Sequence, residues 1–311
     1  MSPLDPFLAD DGVLLLDGGL ATELQARGHD LDDPLWSARL LLDDPAALEA
    51  VHDAYLAAGA DVATAASYQA SLPGLRARGC SDDEARAVLR RSLELARRAC
   101  ERAFAPRDRG RPRPLAVASL GAYGAFLADG SEYRGDYAAD DATLTRFHRE
   151  RLDVLAPLAD LVACETIPCL REAECLAEVL AASPTPAWVS FQCKDDAHVA
   201  HGEPIERCVA AVACVPTVVA VGVNCCAPWH VEPLVRRIRA ACPQPVVAYP
   251  NAGERYADGR WCGHAISPAE LAALAARWHA AGARILGGCC RTGPAHIAAL
   301  HELRARLATR A

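Results

Sequence analysis

Cysteine is the residue type whose placement in this chain asks for a chemical explanation. Residues 283–294 read ARILGGCCRTGP, with Cys289 and Cys290 side by side behind Gly287 and Gly288. A further pair, Cys225 and Cys226, closes the run VVAVGVNCC. Neighbouring residues on a regular strand face opposite ways, so adjacent thiols share a partner only where the backbone leaves strand geometry. The two glycines are expected to allow that departure through backbone angles closed to other residues. The plainer alternative is that the thiols fill a core, because free cysteine packs as a small hydrophobe.

Composition narrows the setting. The chain has 311 residues, 52% apolar and 23% charged, with fourteen cysteines and a formal net charge of −8. That charge argues against a nucleic acid partner and against an anionic membrane surface. No apolar stretch approaches the ~18–20 residues that cross a bilayer, and MSPLDPFLADDG lacks the basic-then-apolar pattern of a secretion signal. A cytoplasmic setting is expected, where thiols stay reduced and clustered cysteines indicate metal binding or catalysis rather than disulfides. Cys100, Cys175, Cys208 and Cys214 lie in helical Ala/Leu/Arg patterns and are read as core filler.

The elements that must position the remaining thiols follow from periodicity. Short apolar runs occur at 13–16, 62–65, 115–119, 161–164, 187–191, 218–223, 246–249 and 284–287. Longer segments of helical period lie between them, among them 82–103 and 267–282, and 293–308 follows the last run. Ser267 before Pro268 gives a helix start, and Gly282 gives its end. Eight strands, each followed by a helix, predict a (β/α)8 barrel forming one domain over 1–311; a doubly wound open sheet would usually stop at fewer strands.

In such a barrel chemistry sits at the C-terminal ends of the strands. Asp17, Thr64 to Tyr68, Glu165, Asn224, Cys225, Asn251 and the Cys289–Cys290 pair all fall there. Strands six and eight are both even-numbered and contribute to the same interior layer, which brings Cys225 near Cys289 and Cys290. Three thiolates at ~2.3 Å suit Zn²⁺ and leave a fourth position open. An iron–sulfur cluster would want a fourth cysteine, and Cys226 points away if strand geometry persists. A zinc ion with three thiolates is a poor activator of water but can hold an incoming thiol as a nucleophilic thiolate, so the chemistry implied is S-alkylation of a small thiol.

Taken in order, LLDGGLATEL, ADVATAASYQAS, GAYGAFLADGSEYRGDY, ACETIPCLREAE, GVNCCAP, YPNAGE and GGCCRTGP span nearly the whole chain. With these motifs the sequence resembles the homocysteine S-methyltransferases, zinc-dependent (β/α)8 enzymes that methylate homocysteine to methionine. The resemblance implies that Cys225, Cys289 and Cys290 are the zinc ligands. It implies that Asp17 and Gly18 meet the amino acid part of homocysteine, and that Glu165 pairs with its ammonium group. On the residues alone, Asp17 is also a turn residue and Glu165 also a helix-capping acid. Trp36 and Tyr68 stand where relatives place aromatic rings around the methyl donor, whose cation gains from ring faces; both also suit packing at the barrel mouth. Asn251 is assigned either to the fourth zinc position or to homocysteine.

The chain ends about one helix after the Cys pair, whereas betaine-using relatives continue further. The resemblance is therefore to the branch that uses S-methylmethionine, and secondarily S-adenosylmethionine, by direct displacement at the sulfonium methyl. Small-molecule partners are expected, with neither nucleic acid nor membrane. The competing readings are a zinc- or thiol-binding barrel without methyl transfer, and a methyltransferase that uses betaine or acts on another small thiol or selenol.

Overall fold

The computed structural model describes residues 2–104, 111–257 and 260–309. Eight parallel strands form one sheet: β1 (Leu14–Leu15), β2 (Val62–Thr64), β3 (Leu115–Gly121), β4 (Leu161–Ile167), β5 (Ala187–Phe191), β6 (Val218–Asn224), β7 (Val246–Tyr249) and β8 (Ala283–Leu286). Each of the eight apolar runs overlaps one of them, with β3, β4 and β6 running past the end of their runs and β8 starting one residue early. From β2 to β8 each strand pairs with the next in sequence, and β8 pairs with β1, which makes the sheet a nearly closed barrel.

The remaining seam, between β1 and β2, is joined largely by aspartate side chains rather than by a full ladder. The Asp61 N–H donates to the Leu15 carbonyl at 2.7 Å, and the Leu15 N–H donates to the Asp61 carboxylate at 2.9 Å. Further up, the Asp17 carboxylate accepts from the Thr64 N–H at 2.7 Å and from the Thr64 hydroxyl at 2.8 Å. Asp17 is thus both a candidate site residue and part of the barrel wall.

Alternation along the strands separates two cores. Leu14, Leu16, Val117, Leu161, Ala163 and Ile285 join one buried cluster, which takes in Leu4 and Phe7 from the N-terminal segment. Leu15, Ala116, Ala118, Val162 and Cys164, one position out of step, join a larger cluster with the helices. The helices start where the sequence places caps: Ser81 and Ser267 each close a capping box, on Glu84 and Glu270. Gly282 ends the second of these helices in the left-handed region at φ 118°. Among the described residues no helix is long and apolar enough to cross a membrane.

One irregularity bears on the site. Between Cys164 and Ile167 β4 carries one residue more than β5 does between Val189 and Phe191, so Glu165 and Thr166 form a bulge. Thr166 sits there at φ 62°, a conformation that a β-branched residue rarely adopts.

Candidate metal centre

The thiols of Cys225, Cys289 and Cys290 converge: their sulfur atoms all lie within 4.8 Å of one another, and Cys225 Sγ is 3.5 Å from Cys290 Sγ. A tetrahedral ion with metal–sulfur bonds of ~2.3 Å would space its ligand sulfurs by roughly 3.8 Å, so the donor set fits a metal with little adjustment. Cys226 does not join it; it is buried in the outer core, and burial pushes its thiol up to about 12. The Cys225 thiol is instead held well below its ordinary value by hydrogen bonds from Cys289 and Cys290, with Tyr133 adding a further contact at 3.6 Å. Its two neighbours are pushed up, because one thiolate among three close thiols disfavours a second.

The loop after β7 clamps the two cysteine loops together. Cys225 N–H donates to the Tyr249 carbonyl at 3.2 Å, and Cys289 N–H to the Pro250 carbonyl at 2.8 Å. In return Asn251 N–H reaches the Cys226 carbonyl and Ala252 N–H the Cys290 carbonyl, both at 3.1 Å. Close approach of strands makes this possible. A Cβ at Gly222, in GVNC, would stand 1.9 Å from the Val247 carbonyl oxygen.

The expectation for Gly287 and Gly288 needs correcting. Neither takes a left-handed angle; the residues that do are Cys225 at φ 51° and Arg291 at φ 68°. The glycines are required by space instead: a Cβ would lie 2.6 Å from Leu16 Cβ at Gly287 and 2.2 Å from Thr292 Oγ1 at Gly288. Thr292 Oγ1 is itself fixed on the Cys289 carbonyl at 2.7 Å.

A polar belt crosses the barrel interior beside the thiols. Glu165 is held by the Ser119 hydroxyl on one oxygen and by the Tyr249 hydroxyl on the other, the latter at 3.1 Å. Ser190 lies 2.6 Å from the Tyr249 hydroxyl and donates to Asn224 Oδ1 at 2.9 Å. Strands β3 to β7 therefore all contribute. Burial pushes the Glu165 carboxyl up to about 7 against these bonds, and pushes Asp17 up to about 6 against its bonds to Thr64. Gly18 and Gly19 bring the DGG turn against the thiol loop, with a Cβ at Gly19 only 2.6 Å from the Cys289 carbonyl oxygen.

Trp36 and Tyr68 meet edge to face, with ring centroids 6.4 Å apart, and the Tyr68 hydroxyl reaches the Thr166 side chain. Asn251 is buried beside the thiols, with Nδ2 donating to the Cys225 carbonyl at 3.3 Å and Oδ1 accepting from Gly253 N–H at 2.8 Å. Sequence reasoning missed Ser119, Ser190, Tyr249 and Tyr133. The first three were visible as polar residues inside apolar strands; Tyr133 lies in the GAYGAFLADGSEYRGDY motif, but nothing in its spacing relates it to Cys225.

A (β/α)8 barrel with three converging thiols and buried carboxylates at the C-terminal ends of its strands defines the class as a thiolate-metal barrel enzyme. A family model described as homocysteine S-methyltransferase matches residues 14–304. The homocysteine S-methyltransferase YbgG of Bacillus subtilis (strain 168) is 41% identical over 303 residues, covering 96% of each chain. The homocysteine S-methyltransferase of Escherichia coli (strain K12) is 45% identical, covering 96% of this chain and 97% of its own. The solved metallated form of the Escherichia coli homocysteine methyltransferase MmuM superposes with a TM-score of 0.87 at 44% identity, over 98% of this chain and 100% of that one. The chain belongs to the homocysteine S-methyltransferase family.

Proposed function

We propose that residues 1–311 act as one barrel unit that moves a methyl group from a sulfonium donor, S-methylmethionine and secondarily S-adenosylmethionine, to the thiol of homocysteine, giving methionine. The observation that carries this reading is the convergence of three thiols beside Asp17 and Glu165 in one barrel mouth. A metal store or a redox dithiol needs no ammonium-binding carboxylates.

Cys225, Cys289 and Cys290 are the proposed ligands. Zinc, the ion three thiolates suit best, supplies the Lewis acidity that keeps an incoming thiol deprotonated near neutral pH. Glu165 and Asp17 bind the amino acid end of homocysteine; ionised Glu165 pairs with its ammonium group, and Gly18 lines the turn that receives it. Asn251, whose Nδ2 braces the Cys225 loop, is assigned to homocysteine or to the fourth metal position. Trp36 and Tyr68 present rings to the donor cation. The thiol proton leaves to solvent, and the homocysteine sulfur forms a bond to the methyl carbon. The carbon–sulfonium bond breaks with both electrons on the departing sulfur, which becomes a neutral thioether and needs no general acid. With S-methylmethionine both products are methionine. The substrates are small molecules, and the thiols require a reducing compartment such as the cytoplasm.

The test incubates zinc-loaded protein and homocysteine with methyl-labelled S-methylmethionine, S-adenosylmethionine or betaine in separate reactions, following label into methionine by mass spectrometry. Transfer from a sulfonium and none from betaine is expected. No transfer from any donor by metal-loaded protein would overturn the reading in favour of a metal-binding barrel without methyl transfer.

A further inference from the structure

The turn Ser131–Tyr133, in the segment after β3, has so far contributed only the Tyr133 contact with Cys225. Its middle residue, Glu132, holds a carboxylate oxygen, Oε2, that is buried without a hydrogen-bond partner among the described residues. This turn is docked, not draped: a Cβ at Gly124 would stand 2.3 Å from the Glu132 backbone nitrogen, so the two segments touch backbone to backbone. A buried carboxylate oxygen without a donor is costly unless something else brings positive charge to it.

Among the described residues no side chain donates to that oxygen. Burial pushes the Glu132 carboxyl up to about 7 against a hydrogen bond from its own backbone, and Cys225 and Asp129, of like sign, add to the rise. Burial raises the Tyr68 and Tyr133 hydroxyls, and Glu132 adds to both shifts. The next residue, Tyr133, reaches Cys225 Sγ at 3.6 Å, and a Cβ at Gly121, three residues before Gly124, would stand 2.8 Å from the Tyr68 ring. Arg134 opposes the rise at Glu132, yet its guanidinium is spent on Asp136 at 3.1 Å and Asp129 at 4.0 Å. Arg291, next to Cys290 in sequence, is taken by Glu254 at 2.8 Å. The mouth therefore has the buried carboxyls of Asp17 and Glu165, which serve the amino acid end of homocysteine, and in half-buried Glu132 one further buried, unpartnered carboxylate oxygen.

We propose that Glu132 is the counter-charge for the donor's sulfonium, on the Tyr68 side of the mouth, selecting a donor whose cation stands apart from its own carboxylate. This rests on the methyl-transfer reading above. In S-methylmethionine three carbons separate the sulfonium from the carboxylate carbon, so Glu132 meets a cation set well apart from that carboxylate. In betaine a single methylene separates the charges, and Glu132 repels the carboxylate that arrives with the cation. The same residue thus attracts one donor class and rejects the other.

The test is Glu132→Gln, which keeps shape and removes charge. The expected result is a rise in KM for S-methylmethionine of about tenfold or more, as for loss of one charge-assisted contact. Zinc content and KM for homocysteine stay unchanged. Direct binding of trimethylsulfonium, a cation without ammonium or carboxylate, weakens in parallel. An unchanged donor KM, or equal rises for both substrates, would overturn the proposal. So would retained trimethylsulfonium binding with weakened S-methylmethionine, which would put Glu132 on the donor's ammonium group. If Glu132→Gln does not fold, Glu132→Asp serves, with an intermediate donor KM expected and an unchanged one counting against the proposal. Trimethylsulfonium binding to the wild-type protein needs no turnover, so the subsite and the methyl-transfer reading fail separately.

Discussion

Asn224 and Thr166 are joined by two hydrogen bonds of 2.7 Å: Thr166 N–H donates to Asn224 Oδ1, and Asn224 Nδ2 donates to Thr166 Oγ1. The pairing holds the bulge in β4 and so the direction of Glu165, while Asn224 Nδ2 also lies 3.9 Å from Cys289 Sγ. One side chain at the end of β6 therefore ties the carboxylate side of the site to the thiol side.

Asn224→Ala leaves the Thr166 N–H buried without its acceptor and removes the brace on a left-handed β-branched residue. A loss of about 2–3 kcal/mol in urea unfolding is expected. KM for homocysteine should rise with it, since the bulge no longer aims Glu165; a variant with wild-type homocysteine KM would show that the bulge holds itself.

The four cysteines at the strand ends should divide sharply. Ala in place of Cys225, Cys289 or Cys290 abolishes tight zinc binding, read as metal per chain by elemental analysis, and activity with it. Cys226→Ala keeps the metal and loses about 1 kcal/mol from a small vacancy in the outer core. Full metal content in any of the first three variants contradicts the ligand assignment.

Homocysteine binding should depend on pH through Glu165. Its carboxyl must be ionised to pair with an ammonium group, and burial has moved it up to about 7. KM for homocysteine is thus expected to be flat above pH 7 and to climb toward tenfold per unit below it; Asp17, raised to about 6, steepens the climb at lower pH. In the ligand-free protein the same shifts act on stability with the opposite sense. Both groups ionise more readily when unfolded, so stability falls as pH rises from about 4 to 7. A pH profile of KM that Glu165→Gln leaves unaltered would remove Glu165 from the ammonium site.

Gly288→Ala should damage the centre without touching a thiol. The new methyl group meets Thr292 Oγ1, and Thr292 holds the Cys289 carbonyl. The expected cost is about 1–3 kcal/mol in stability, accompanied by weaker zinc retention in a chelator competition. Unchanged retention would mean that the Cys289 loop is positioned by the β7 clamp alone.

The sequence by itself determined the barrel and the candidate site residues. Eight apolar runs, caps such as Ser81 and Ser267, and polar residues placed after strand ends are local patterns, and each survives in the structure because backbone pairing and burial act on short stretches. Cys225, Cys289 and Cys290 could be grouped because barrel geometry relates strand ends by strand number. What the tertiary structure alone decided is how those groups are held. Thr166 at φ 62°, the two backbone clamps from the β7 loop, and the unpartnered oxygen of Glu132 each depend on segments far apart in sequence. Gly287 and Gly288 show the reason plainly: a glycine reads the same whether it serves an angle or a gap, and only the atoms packed against it, here Leu16 and Thr292, distinguish the two.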